Sequence, residues 1–133
     1  MQDYRNVNEK YDRIVSVGMF EHVGTAHYQE FFNKVYDLLN DSGVALIHTI
    51  GRLNEPGNTD PWIDKYIFPG GYIPALSETV SRVEKSGLSL TDVQVLRFHY
   101  AETLKRWRYN FYDNIDKVKE IYDEKFCRMW DFY

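Results

Sequence analysis

A single cysteine, Cys127, stands in 133 residues. One thiol cannot form an intramolecular bridge, so a disulfide framework is excluded and a reducing compartment is favoured. Long apolar runs are missing too. None approaches the ~18 residues that a membrane-crossing helix needs. The opening Met1-Gln2-Asp3-Tyr4-Arg5 lacks the apolar stretch of a secretory signal. There is no basic excess: 16 Lys and Arg stand against 20 Asp and Glu, a net charge of -4. That balance argues against a nucleic-acid partner. Hydrophobic residues at 44% and charged residues at 27% are ordinary for a globular chain and exclude intrinsic disorder. The expectation is one soluble, cytoplasmic domain. Aromatic residues are plentiful, at 17%, from 11 Tyr, 8 Phe and 3 Trp.

Asp12 to Val17 is short, rich in β-branched residues and closed by Gly18, the pattern of a buried strand. Thr25 reads as the N-cap of a helix over 26–40, where Tyr28, Phe31, Phe32, Val35, Leu38 and Leu39 recur at three and four residues. Asn40-Asp41-Ser42-Gly43 reads as a stop and turn. Val44 to Ile50 reads as a second strand closed by Gly51. Strand, helix, strand with short connections predicts a parallel βαβ unit. After a polar loop over 52–60, Pro61 suits a first helical position and opens a short helix over 61–67, broken by Phe68-Pro69-Gly70-Gly71. Pro74 to Lys85 reads as a helix and 88–98 as a third strand. From Glu102 on, Leu104, Trp107, Phe111, Ile115, Val118, Tyr122 and Phe126 keep helical spacing, with a break near Asp113-Asn114. Three strands are few, since a doubly wound sheet has about five or more.

Tyr11-Asp12-Arg13-Ile14-Val15-Ser16-Val17-Gly18-Met19-Phe20-Glu21-His22-Val23-Gly24 closely resembles a signature of the cyclopropane-fatty-acyl-phospholipid synthases, relatives of the mycolic acid cyclopropane synthases. The same family is resembled, in order, by Leu46-Ile47-His48-Thr49-Ile50-Gly51, by Asp60 through Gly71, by His99-Tyr100-Ala101-Glu102-Thr103-Leu104 with Trp107, and by Tyr122 through Trp130. The resemblance implies an α/β chain: part of a Rossmann-like class I methyltransferase fold that uses S-adenosylmethionine (SAM). The family's Gly-rich SAM loop and a further active-site cysteine lie upstream of the segment resembled, and no G-x-G-x-G sequence occurs here. The chain is therefore expected to be an internal piece of that domain, 1–133, ending before its last strand and inactive alone. Cys127 is not the family cysteine.

The family adds a methylene group from SAM across the cis double bond of an acyl chain. An alkene is a poor nucleophile, and methyl transfer leaves a carbocation in an apolar channel. The family's base is a bound bicarbonate held by a Glu, a His, a Tyr and a backbone group. By resemblance these fall on Glu21, His48, Tyr100 and Ile50. Glu21 and His48 sit at the carboxyl ends of two predicted parallel strands, where α/β sheets bind ligands. His48 and Tyr100 can donate hydrogen bonds to an anion. Phe20 and Tyr100 are candidates to face the cation, each such contact being worth about 0.5–2 kcal/mol.

Of the 22 aromatic rings, 11 fall in residues 98–133, either as plain core or as walls of an acyl channel. Phe20, Trp62, Tyr66, Phe68 and Trp107 are the substrate-binding candidates. Lys105, Arg106 and Arg108 form a basic cluster suited to anionic lipid headgroups or simply to solvent. Unsaturated phospholipids at the inner membrane surface are the expected partners, with self-association through exposed sheet edges as a further possibility. Two other functions fit the same residues: methyl transfer to a different acceptor without ring closure, and a non-catalytic lipid- or partner-binding module. Without the resemblance, Glu21 would read as a helix cap, His48 as a core histidine and Tyr100 as a packing residue. His22 and His27 do not form a H-E-x-x-H pattern with Glu21, so no zinc site is expected.

Overall fold

The computed structural model describes residues 2–133. They form two compact units, one running to Thr91 and the other from Asp92 to Tyr133. In the first, β1 (Tyr11–Val17) and β2 (Leu39–His48) pair in parallel, joined by α1 (Tyr28–Leu38). This is the expected βαβ unit. It is followed by α2 (Pro61–Tyr66) and α3 (Leu76–Lys85). The second unit holds α4 (Arg97–Asp113), α5 (Ile115–Ile121) and α6 (Glu124–Phe132). Among the described residues, no helix is long and apolar enough to cross a membrane.

The core of the first unit is aromatic. Phe20 is 0% exposed and lies against Tyr28, Phe31 and Phe32, with Val35 and Val83 completing the cluster. The α1 residues that recur at three and four supply most of it, because that spacing keeps them on one helical face. The strands alternate. Ala45 and Ile47 pack on this core, whereas Val15, Val17, Val44 and Leu46 are each more than half exposed. The expected buried strand is thus covered on one face only.

Four local expectations are corrected. Thr25 does not cap the helix. It opens a 3-10 turn, Thr25–His27, and α1 starts after His27 without a side-chain cap. The Asn40–Gly43 stretch lies within β2 as a wide bulge: Tyr11 pairs with Leu39 and Arg13 with Val44, so Asp12 alone faces all four residues. Asn40 Nδ2 donates to Asp12 Oδ1 at 2.8 Å across it. Gly43 is required there, since a Cβ would meet the Asn40 carbonyl oxygen at 2.9 Å. The third strand does not form. Residues 88–96 find no ladder partner among the described residues, and their apolar side chains alone cannot satisfy a strand's backbone. Helix α4 then begins at Arg97, five residues before Glu102, which puts His99 and Tyr100 inside its first turns. The break at Asn114 occurs as expected, and a second at Tyr122–Asp123 separates α5 from α6, with Asp123 Oδ1 accepting from the Phe126 N–H at 2.8 Å.

Candidate active site

The turn after β1 is set by glycine and by a buried ring. Gly18 has φ 63, a left-handed backbone that favours glycine, and its N–H donates to the His48 carbonyl at 3.1 Å. That bond carries the β1–β2 ladder one step past the strand end. A 3-10 turn, Phe20–His22, follows. Phe20 drives its ring into the core, stacked on Tyr28 with centroids 4.2 Å apart. Its neighbour Glu21 is then directed along the carboxyl edge of the sheet. There Glu21 Oε1 accepts from the Ile50 N–H at 2.6 Å, and the Glu21 carbonyl accepts from the Tyr72 N–H at 3.3 Å.

Two residues expected at the anion site, Glu21 and Ile50, are therefore in direct contact. The Ile50 N–H expected to meet an anion is engaged by Glu21. The second carboxylate oxygen, Oε2, is buried and has no hydrogen-bond partner among the described residues. A buried acceptor without a donor costs roughly 1–3 kcal/mol. An incoming O–H, such as that of bicarbonate, would satisfy it, so the residues present fit that ion. His48 closes β2. By alternation its side chain shares the exposed sheet face of Val44 and Leu46, so it is not a core histidine.

A second buried oxygen lies nearby. Among the described residues the Tyr28 hydroxyl has no partner either. Burial, then the charges of Glu78, Tyr72 and Glu21, push this phenol from 10 up to about 12. Tyr72 donates to Glu78 Oε2 at 2.9 Å, and the same oxygen accepts from the Ala75 N–H at 2.9 Å, fixing the start of α3. The polar role of Tyr28 is invisible in its apolar stripe. Between pH 10 and about 12 the folded chain keeps a Tyr28 proton that the unfolded chain has lost, so stability falls as pH rises through that window. Tyr28→Phe is expected to make that fall shallower, read as denaturant midpoint against pH, with no loss of stability at neutral pH. Equal slopes for the two proteins would contradict it.

The segment after β2 is tightly built. Asp60 caps α2, its Oδ1 accepting from the N–H groups of Trp62 at 2.9 Å and Ile63 at 3.3 Å. Thr59 Oγ1 donates to the Gly71 carbonyl at 2.7 Å, and the Gly70 N–H donates to Asp64 Oδ1 at 2.9 Å. Trp62 and Tyr66 lie on α2 with ring centroids 5.8 Å apart, and Tyr66 and Phe68 are more than a third exposed. Asp60→Ala is expected to cost about 1 kcal/mol, the usual worth of an N-cap. Urea unfolding checks this, and an unchanged midpoint would refute the cap.

In the second unit, Tyr100 sits on α4 and its hydroxyl is hydrogen-bonded to that of Tyr133. Trp107, 40% exposed, stacks on Trp130 with centroids 6.2 Å apart. The basic cluster is not all available to a headgroup, because Arg108 Nε donates to Asp131 Oδ1 at 2.8 Å. That pairing holds the Asp131 carboxyl below its usual range.

A family model described as mycolic acid cyclopropane synthetase matches residues 1–133. The chain is 39% identical over its whole length to the cyclopropane-fatty-acyl-phospholipid synthase of Escherichia coli K12, of which it covers 35%. It is 34% identical over 99% of its length to sphingolipid C9-methyltransferase 2 of Gibberella zeae, covering 27% of that protein. The crystal structure of mycolic acid cyclopropane synthase CmaA1 complexed with SAH and CTAB superposes with a TM-score of 0.84 at 32% identity, over 98% of this chain and 50% of the other. The chain thus spans about a third of the length of these curated relatives.

Proposed function

This chain belongs to the mycolic acid cyclopropane synthetase family, and we propose that it supplies the bicarbonate-binding and lipid-facing part of an enzyme that cyclopropanates unsaturated phospholipid acyl chains. The observation that carries this reading is the Glu21 carboxylate, clamped through Oε1 to Ile50 and left with a buried, unpartnered Oε2 at the carboxyl edge of a parallel sheet. When bound, bicarbonate supplies a base for the proton lost from the transferred methyl, and SAM supplies that methyl. The chain contains no G-x-G-x-G sequence, and none of its residues is assigned to SAM.

The chain's own residues divide the work. Glu21 Oε2 accepts the O–H of the bicarbonate and thereby orients its basic oxygens. The Ile50 N–H is shared between Glu21 and the anion, as three-centre bonds allow. His48 donates to a remaining oxygen. Charge-assisted bonds of this kind are about twice as strong as neutral ones. Phe20 anchors the turn that aims Glu21. Trp62, Tyr66 and Phe68 in the first unit supply apolar surface for the acyl chain, and contact with the membrane surface is peripheral. The structure of CmaA1 with CTAB supports a site for a long-chain amphiphile in this fold.

The chain alone is expected to form no ring. The test replaces the matching segment of the Escherichia coli relative with this chain and supplies SAM and vesicles of cis-unsaturated phospholipid. Bicarbonate-dependent product with shielded ring protons in its NMR spectrum is expected. A folded chimaera that transfers methyl groups without forming rings would favour the second reading, a different acceptor chemistry, for which the similarity to a sphingolipid C9-methyltransferase speaks. A folded chimaera that transfers nothing would overturn both.

A further inference from the structure

Glu21 is held at two places, and both holds lead to one piece of chain. Its Oε1 accepts from the Ile50 N–H at 2.6 Å, and its carbonyl accepts from the Tyr72 N–H at 3.3 Å. Two residues beyond Ile50, Arg52 is bridged to the chain after Tyr72. Its N–H donates to the Pro74 carbonyl at 2.9 Å, and its carbonyl accepts from the Leu76 N–H at 3.1 Å. Arg52 Nε adds a bond to the Ile73 carbonyl at 3.1 Å. Residues 72–76 therefore carry the carbonyl of Glu21 directly, and its carboxylate through Arg52 and Ile50. Pro74 and Ala75 within them are fully buried. One side chain pins this piece. Glu78 Oε2 accepts from the Ala75 N–H and from the Tyr72 hydroxyl, each at 2.9 Å, and Oε1 accepts from the same hydroxyl at 3.1 Å. All of these groups belong to the first unit.

We propose that Glu78 is a positioning residue for Glu21: by joining Tyr72 to the start of α3 it fixes the segment on which both holds of Glu21 depend. The inference rests on the reading of Glu21 as the acceptor of the bicarbonate O–H. A carboxylate can take both donors because each of its oxygens has two lone pairs, and bonds to an ionised acceptor are the stronger kind. Burial, then the bond to Glu78, push the Tyr72 phenol up, so it keeps the proton that it donates. Without Glu78 the Ala75 N–H and the Tyr72 hydroxyl lose their shared acceptor, and residues 72–76 can shift. A binding site needs its contact groups held to within about 0.5 Å by supporting bonds of this sort.

The Ile50 amide proton reads the placement of Glu21 without any ligand, because a short bond to a carboxylate moves its NMR signal downfield. Titration of 13C-labelled bicarbonate, followed by exchange broadening of its carbon, then reads the anion site. In the chain carrying Glu78→Ala the Ile50 signal is expected to move upfield and bicarbonate binding to weaken roughly 3- to 10-fold, the effect of one hydrogen bond. Tyr72→Phe keeps the ring and the N–H and should act in the same direction. Glu78→Gln should leave both readouts as they are in the unmodified chain, since its amide oxygen can accept from Tyr72 and Ala75 alike. Asp60→Ala removes a helix cap elsewhere in the same unit and is the control. It should lower stability and move neither readout. Three results would overturn the proposal: an unmoved Ile50 signal in folded Glu78→Ala and Tyr72→Phe, an equal movement in Asp60→Ala, or binding as weak in Glu78→Gln as in Glu78→Ala. Bicarbonate that never saturates the unmodified chain would instead defeat the anion site itself, and this inference with it.

Discussion

Glu21→Gln in the chimaera with the Escherichia coli relative lowers ring formation by about 10²–10⁴-fold, the usual worth of a positioned general base. The substitution is nearly isosteric. Its amide oxygen can still accept from the Ile50 N–H, so the turn stays in place. What changes is the other arm, where a buried acceptor becomes an NH₂ donor. That group cannot accept the O–H of bicarbonate, and the anion loses both its anchor and its orientation. Glu21→Ala is a different experiment. It leaves the Ile50 N–H without its acceptor and is expected to cost about 1–3 kcal/mol of stability as well. Rates of labelled-methyl transfer, with circular dichroism as a check on folding, separate the two effects. A Gln variant with full, bicarbonate-dependent activity would remove Glu21 from the chemistry.

Phe20→Ala acts on the same turn through packing and is expected to have the largest effect on stability. Deleting a fully buried phenylalanine costs about 3–5 kcal/mol, a large share of the ~5–15 kcal/mol that holds a typical domain together. Phe20 contacts three other buried rings and is 0% exposed, so the space it leaves cannot fill from solvent. Phe98, 77% exposed, is the control. Truncating it should change stability by no more than about 0.5 kcal/mol. Denaturant unfolding of both variants gives the comparison. If they lose stability equally, the aromatic cluster does not hold the Glu21 turn.

The βαβ unit and its parallel pairing were legible because periodicity is local. The three-and-four spacing in α1 and the β-branched run in β1 leave few alternatives. Pro61 and the Asn114 break were equally plain. What failed depends on partners that sequence does not show. Residues 88–98 carry apolar side chains suited to a strand, but a strand is defined by its neighbour, and none pairs with it among the described residues. Asn40–Gly43 has the composition of a turn, yet the wide bulge absorbs all four residues inside β2. At the site, motif resemblance gave Glu21, His48, Ile50 and Tyr100, and the structure joins Glu21 to Ile50. The Tyr28 hydroxyl and the Tyr100–Tyr133 bond were hidden for a simpler reason. An aromatic residue at helical spacing reads as core, and its one polar atom leaves no trace in the pattern.

The measurement to make is the titration of 13C-labelled bicarbonate into the unmodified chain and into Glu21→Gln, followed by carbon NMR. Saturable exchange broadening in the first, lost in the second while both remain folded, is the expected result. Broadening that never saturates, or that is the same in both proteins, would contradict an anion site built on the buried oxygen of Glu21.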